Sequence, residues 1–393
     1  MVTTPHRVPL ASRMGEIAPF HVLEILDRAR RLEAEGRSII HMEIGEPDFE
    51  TPAPVLAAAQ QALAERSMHY APALGLPELR EAIAAFYRSR YGVRVDPSCV
   101  VVTSGSSGAL LLALGVLVDP GSRLLLADPG YPANRHFVRV LGGEPVGIPV
   151  DERSQYQLSA ASIAAHWDER TVGALIATPS NPTGTLISHE ALEAIHAEVA
   201  RRGGTLLVDE IYHGLTYGSE PQTALAIGDD VLVVNSFSKY FNMTGWRIGW
   251  LVAPLRLVEA IERLAQNLFL SVSTPAQYAA MAAFGDQTLA LLEERRRIMR
   301  ERRDYLVPEL RRLGFGVPVV PEGAFYVYAN CSALCADSFE FCRRLLDEAG
   351  VAITPGVDFG HHRGREHLRF AYTTSVERLR EAVGRIEGFL RRG

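Results

Sequence analysis

Lys239 closes the run Asn235-Ser236-Phe237-Ser238-Lys239, directly after the apolar stretch 231–234. That position places it just past the end of a buried strand. A lysine held against apolar surroundings loses solvation, which disfavours the ammonium and leaves a nucleophilic amine. Such an amine condenses with an aldehyde to a Schiff base. Arg247, eight positions later, supplies a permanent cation suited to a phosphate. An aldehyde and a phosphate on one molecule suggest pyridoxal phosphate.

Further polar residues follow other predicted strands. Thr103-Ser104-Gly105-Ser106-Ser107-Gly108 precedes an apolar helical stretch, 109–117. Glycines allow a tight turn there, the free N–H groups of a helix N-terminus bind phosphate, and Ser106 and Ser107 add hydroxyl donors. Tyr131 is an aromatic that can stack on a ring. Asn181, Asp209 with Tyr212, and Ser236 with Ser238 complete the set. Each has a plainer reading as well: a Gly/Ser turn as a helix cap, an Asp as a cap or ion-pair partner, a Lys as a solvated surface charge. Their joint occurrence favours the chemical reading, because each supplies a different function that the cofactor needs.

The elements that must position these residues alternate regularly. Strands are expected at 99–103, 124–127, 174–177, 205–209, 231–235 and 247–252, with helical spacing between most of them, as at 190–201. This is the pattern of an α/β domain with a mostly parallel sheet, whose ligands bind at the carboxyl ends of the strands. Beyond about residue 279 the pattern changes. A long amphipathic helix is expected over 293–312. Apolar stretches at 325–328 and 368–372 and a closing helix from Val376 read as a smaller α+β domain. The expected division is 1–48, an N-terminal segment that joins the small domain; 49–285, the large domain; and 286–393, the small domain.

The chain has 393 residues, 47% hydrophobic and 22% charged, with a net charge of −6. That describes a globular protein with ample core and argues against a nucleic-acid partner. The longest apolar stretch, 109–118, is too short to span a bilayer, and residues 1–7 show no secretory h-region. Four cysteines form neither a disulfide framework nor a zinc pattern, so reduced thiols and a cytoplasmic location are expected. The pair His361-His362 reads as a solvated loop, and no metal is expected.

Six short runs give the set a family likeness: Gly45-Glu46-Pro47-Asp48-Phe49, Ser180-Asn181-Pro182-Thr183-Gly184, Asp209-Glu210-Ile211-Tyr212, Ser236-Phe237-Ser238-Lys239, Met243-Thr244-Gly245-Trp246-Arg247-Ile248-Gly249 and Glu322-Gly323-Ala324-Phe325-Tyr326. With these the chain resembles the class I/II aminotransferases of pyridoxal phosphate fold type I, aspartate aminotransferase-like, over nearly its whole length. The resemblance implies that Lys239 binds the cofactor aldehyde and shuttles the proton. Asp209 would pair with the ring nitrogen, Tyr212 and Asn181 with the ring oxygen, and Tyr131 would stack on the ring. Arg247, Ser106, Ser107, Ser236 and Ser238 would hold the phosphate. It further implies that Arg369 grips the substrate α-carboxylate with help from the Gly45 N–H, and that Tyr70 reaches the neighbouring site in a homodimer. The implied reaction is ping-pong transfer of an amino group from an L-amino acid to a 2-oxo acid.

One bacterial branch of the family meets a distal carboxylate with a lysine in the Gly-rich turn and with hydroxyl residues near the N-terminus. Here Ser107 holds the first position, and Ala18-Pro19-Phe20-His21-Val22 the second. Phe20 as an apolar wall favours neutral or hydrophobic amino acids; Phe20 as core would not, and His21 or a partner's arginine could receive a carboxylate. Aspartate-specific transamination and C–S or β-elimination on the same fold stay open. A serine hydrolase is a distant rival: Gly105-Ser106-Ser107-Gly108-Ala109 is a degraded nucleophile elbow, with Asp209 and His361 downstream. A regulatory protein that only binds the cofactor is not expected, because such proteins usually carry an added DNA-binding domain and the stretch before Gly45 is short for one.

Overall fold

The computed structural model describes residues 10–218 and 221–392. Two sheets organise it. Seven strands form the larger: β2 Val100–Thr103, β3 Arg123–Asp128, β4 Glu144–Pro149, β5 Thr171–Ala177, β6 Thr205–Asp209, β7 Leu232–Ser236 and β8 Gly249–Val252, in the order β2-β8-β7-β6-β5-β3-β4. Only β8 runs antiparallel to its neighbours. The smaller sheet is β1-β10-β11-β9, from β1 Ile40–Met42, β9 Tyr326–Asn330, β10 Val351–Pro355 and β11 His367–Ala371. Its β1 pairs in parallel with β10, and the remaining pairs are antiparallel.

The large sheet is covered on both faces, which explains its near-continuous apolar strands. Side chains alternate between two cores. Val100, Val102, Leu125, Ala174, Ile176, Leu206, Val208 and Val233 face one. Val101, Leu124, Leu126, Leu175, Leu207, Leu232 and Val234 face the other, with the helix Gly105–Gly115. Because β8 alone is reversed, the carboxyl ends of β2, β5, β6 and β7 share one edge with the amino end of β8. Every chemical residue named after a strand therefore lands on that edge.

The expected α/β architecture with a mostly parallel sheet is present. Several details differ. Arg247 is not in a strand: it has φ 51°, closes the short turn Thr244–Trp246, and β8 starts at Gly249. The helix after the Gly/Ser turn begins at Gly105 itself, with φ 68°, not at Ala109. The long helix runs Asp286–Arg312, seven residues longer at its start than expected. Edge strand β4, whose sequence Glu-Pro-Val-Gly-Ile-Pro carries two prolines and a glycine, was not expected, nor was β10. No described helix is long and apolar enough to cross a membrane.

The helix α1, His21–Ala34, packs Ile25, Ala29 and Leu32 against the small sheet side of the core. Its amino end is capped from a distance: Asp358 Oδ1 and Oδ2 each accept a backbone N–H, from His21 and Val22, at 2.8 Å. That cap fixes the rest of the helix over the strand ends.

Candidate active site

A cavity of about 490 Å³ opens at the carboxyl edge of the large sheet, bounded by α1 and the small sheet. Lys239 projects into it from the loop after β7. Its Nζ donates to Gly45 O at 2.5 Å and lies 5.8 Å from the Phe325 ring centroid. Loss of solvation lowers the lysine from its ordinary 10.5 to about 8; Glu46 and Asp209 oppose this, while Arg369 and Arg247 add to it. Asp209, at the end of β6, is 5% exposed, and its Oδ1 accepts the Ile211 N–H at 3.0 Å. Burial lifts its carboxyl to about 6, against that N–H and the nearby Lys239. An amine made easier to deprotonate thus faces a carboxyl made easier to protonate.

At the other end stand Arg247, Ser106, Ser107 and Ser238. A Cβ on Gly105 would come within 2.9 Å of Arg247 Nη2, so only glycine lets the guanidinium lie so close to the turn. No side chain caps the first N–H groups of the helix Gly105–Gly115. A cation, serine hydroxyls and open N–H groups make an anion cradle.

Arg369 lies on β11, 5% exposed and sandwiched between the rings of Tyr326 and Phe359, 4.2 and 4.8 Å from their centroids. Its Nη1 donates to Asn181 Oδ1 at 3.0 Å, and its Nη2 to Glu43 O at 2.5 Å and Thr354 Oγ1 at 3.2 Å. Its Nε is buried with no partner. A guanidinium this well held, with a donor left over, is a fork waiting for an anion. Tyr212 and Tyr326 share a hydrogen bond of 2.9 Å between hydroxyls, and burial raises both phenols.

These residues fit pyridoxal phosphate. The anion cradle suits the phosphate, the lysine suits the aldehyde, and the buried carboxyl at the far end suits a basic ring nitrogen. The Arg369 guanidinium in the cavity wall suits a substrate carboxylate.

The cavity brings together Lys239, Asp209, Tyr212, Asn181, Tyr131, Ser106, Ser107, Ser238, Arg247, Gly45, Arg369 and Phe20. Two expected residues lie outside it. Ser236 is 1% exposed behind Ser238: its Oγ accepts the Ser238 N–H at 3.0 Å and lies 3.0 Å from Ser238 Oγ and 3.2 Å from Ile248 O. Tyr70 is 80% exposed and does not line its own chain's cavity. Sequence reasoning missed Tyr326, Glu43, Glu46, Thr354 and Phe359, all in the cavity wall. Tyr326 ends one of the six quoted runs, Glu46 lies inside another and Glu43 just before it, but nothing local marks Thr354 or Phe359.

The profile of the family described as aminotransferase class I and II matches residues 37–386. The chain is similar to the valine–pyruvate aminotransferase of Mycobacterium tuberculosis, with 40% identity over 97% of this chain and 98% of that protein. It is similar as well to an aspartate aminotransferase of Streptomyces avermitilis, with 36% identity over 99% of this chain and 98% of that one. Among solved structures, an aminotransferase from Mycobacterium tuberculosis superposes with a TM-score of 0.94 at 39% identity, covering 98% of this chain and 100% of the other.

Proposed function

The chain belongs to the class I and II aminotransferases, and from that premise we propose that its cavity moves amino groups from neutral or hydrophobic L-amino acids to a 2-oxo acid. The enzyme is an aminotransferase and its family depends on pyridoxal 5′-phosphate. When bound, that group supplies a carbonyl for the amino group and a ring that withdraws electrons from the substrate's α-carbon.

The residues divide the work. Arg247, Ser106, Ser107 and Ser238 hold the phosphate, with Ser236 fixing Ser238 from behind. Asp209 would pair with the ring nitrogen and hold a proton there, and its burial keeps water from competing. Tyr131 would cover the ring, while Tyr212 and Asn181 would direct hydrogen bonds at its oxygen. Arg369 takes the α-carboxylate, and the Gly45 N–H assists. Lys239 Nζ would take the proton from the amino acid's α-carbon and, as an ammonium, pass it to the cofactor carbon that keeps the amino group; an amine lowered to about 8 suits both roles around neutral pH. The amino acid leaves as an oxo acid before the second oxo acid enters, so one pocket serves both.

The observation that carries the substrate class is the side of the cavity formed by α1. Phe20, Val22, Leu23 and Leu26 lie along it, with the exposed Arg30 farther along the same helix, and Ser107 stands where one branch of the family that the sequence resembles carries a lysine. An apolar wall rewards an apolar side chain by roughly 1–3 kcal/mol per methylene-sized difference. The relative from Mycobacterium tuberculosis, named for valine and pyruvate, supports this. The relative named for aspartate favours the rival, and kcat/KM values decide between them. Valine, leucine and phenylalanine are expected to exceed aspartate; a preference of about tenfold for aspartate sinks the proposal. Release of ammonia instead of transfer to the oxo acid would mark elimination.

Two copies are proposed to pair, with Tyr70 reaching the neighbouring site; its exposure and its distance from its own cavity support this. Residues 49–285 and 286–393 are proposed as separate domains, supported by the sheet each carries, and segment 1–48 joins the second through β1. Four free thiols among the described residues support a cytoplasmic location.

A further inference from the structure

Two of the site's cations, Arg369 and Lys239, are held by one short piece of backbone. Arg369 Nη2 donates to Glu43 O and Lys239 Nζ donates to Gly45 O, each at 2.5 Å. Thr354 Oγ1 donates to the same Glu43 carbonyl at 2.8 Å. The far end of this strap is fixed by Asp48, whose two oxygens take Nη1 and Nη2 of Arg302 at 2.7 and 2.9 Å. Its near end is fixed by the side chain of Glu43.

Glu43 is fully buried, and its Oε2 has no partner. Its Oε1 is 2.7 Å from His41 Nδ1, and His41 Nε2 is 3.1 Å from Glu33 Oε1 near the end of α1. A carboxylate accepts and cannot donate, so a ring bonded to two of them carries both protons and is an imidazolium. The two glutamates hold that ring protonated up to about 9. A buried carboxylate is costly unless a cation faces it, and an apolar residue would fill the space at less cost. The aminotransferase reaction has so far given these three residues no task.

We propose that Glu33, His41 and Glu43 form a positioning relay that ties α1 to the strap and sets the bite of Arg369 on the substrate α-carboxylate. α1 also carries Val22, Leu23 and Leu26, and Phe20 is its N-cap. The relay therefore locks the side-chain wall and the carboxylate clamp into one body. This inference rests on Arg369 being the carboxylate anchor, and the test separates the two claims.

The probe is 3-phenylpropanoate, which has the α-carboxylate and an apolar side chain but no amino group to react. Its Kd is measured by calorimetry on the cofactor-loaded enzyme, with the thermal midpoint recorded alongside. Glu43→Gln and His41→Leu are each expected to weaken binding about tenfold. Glu33→Gln, an exposed and conservative change that should fold in any case, is expected to weaken it about threefold. The pair Glu33→Gln/His41→Leu should be no worse than His41→Leu alone, since members of one relay are not additive. KM for valine and for phenylalanine should rise by the same factor, with kcat falling less. A merely structural role would lower the thermal midpoint and leave Kd in place. If Arg369→Lys loses binding while every relay variant keeps the wild-type Kd, the relay is overturned and the anchor stands. If Arg369→Lys also keeps the wild-type Kd, both are overturned.

Discussion

Gly45→Ala tests the geometry of the strap most directly. A Cβ on Gly45 would stand 2.2 Å from Tyr326 Oη and 3.2 Å from its Cζ, where ordinary contact begins near 3.4 Å. Tyr326 has nowhere to go: it is 1% exposed, packed edge-on to Phe325 and Tyr212, and covered by Arg369. The strap must lift instead, by roughly 1 Å to reach ordinary contact. That movement stretches the 2.5 Å bonds from Lys239 to Gly45 O and from Arg369 to Glu43 O past good hydrogen-bond length. Losing one hydrogen bond to a charged group costs about 1.5–3 kcal/mol, or about 10- to 150-fold. Misplacing reacting groups by about 1 Å costs on the order of 100-fold. The two routes agree, so kcat/KM for the best amino acid should fall about 100-fold. Steady-state kinetics on the cofactor-loaded variant give the value, and circular dichroism confirms that the protein is folded. Tyr326→Phe removes the 2.2 Å clash and leaves only the 3.2 Å contact, which a shift of a few tenths of an ångström relieves. Gly45→Ala/Tyr326→Phe should thus be about tenfold more active than Gly45→Ala, although Tyr326→Phe alone is slower than wild type through loss of the Tyr212 bond. A Gly45→Ala enzyme within about threefold of wild type, or a double variant no better than the single, refutes the reasoning.

Other outcomes follow from the same site. Lys239→Ala should still bind cofactor through the anion cradle, seen as retained absorbance after desalting, yet lose nearly all turnover; transamination at the wild-type rate would falsify the assignment of the base. With Lys239 lowered to about 8, cofactor uptake by cofactor-stripped protein should accelerate with pH and level off above about 8. Asp209→Asn removes a charge that favours the ammonium, so it should move that midpoint lower; a midpoint near the ordinary lysine value would count against burial as the cause. His41 is raised from 6.5 to about 9, so its contribution to stability is fully present below pH 6.5 and is lost as pH rises through 9. The wild-type thermal midpoint should accordingly drop more steeply between those pH values than that of His41→Gln, whose side chain does not titrate; parallel curves would remove His41 from the account.

Much of the fold was legible because the strands of a sheet covered on both faces are short apolar runs bounded by turn residues. Stretches 124–127, 174–177 and 205–209 fall inside or on observed strands for this reason. β4 was not legible, because an edge strand tolerates the two prolines and the glycine that argue against a strand elsewhere. Arg247 was placed in a strand because its apolar sequel continues through Ile248. In fact a left-handed residue must turn the chain there to aim the guanidinium back at Gly105. The Asp286 start of the long helix was hidden because its first turns bear few charges and resemble the apolar stretch before them.

The site divides along a physical line. Residues proposed to meet the cofactor sit within a few positions of a strand end, so local pattern and chemistry find them together. Lys239, Asp209, Asn181 and the Gly/Ser turn are of this kind. Residues that set the angle of another residue act across long stretches of chain and leave no local mark. Glu43 and Thr354 reach Arg369 from 326 and 15 positions away, and Arg302 holds Asp48 from 254. Phe359 shapes the same guanidinium through its ring alone. The cavity therefore has a legible inner layer selected by bond-forming chemistry and an illegible outer one selected by distance. Substrate choice belongs to the outer layer, because an apolar wall selects through how close α1 stands to Arg369. Phe20 says that the wall is apolar; the spacing between Glu33, His41 and Glu43 determines how much room it leaves.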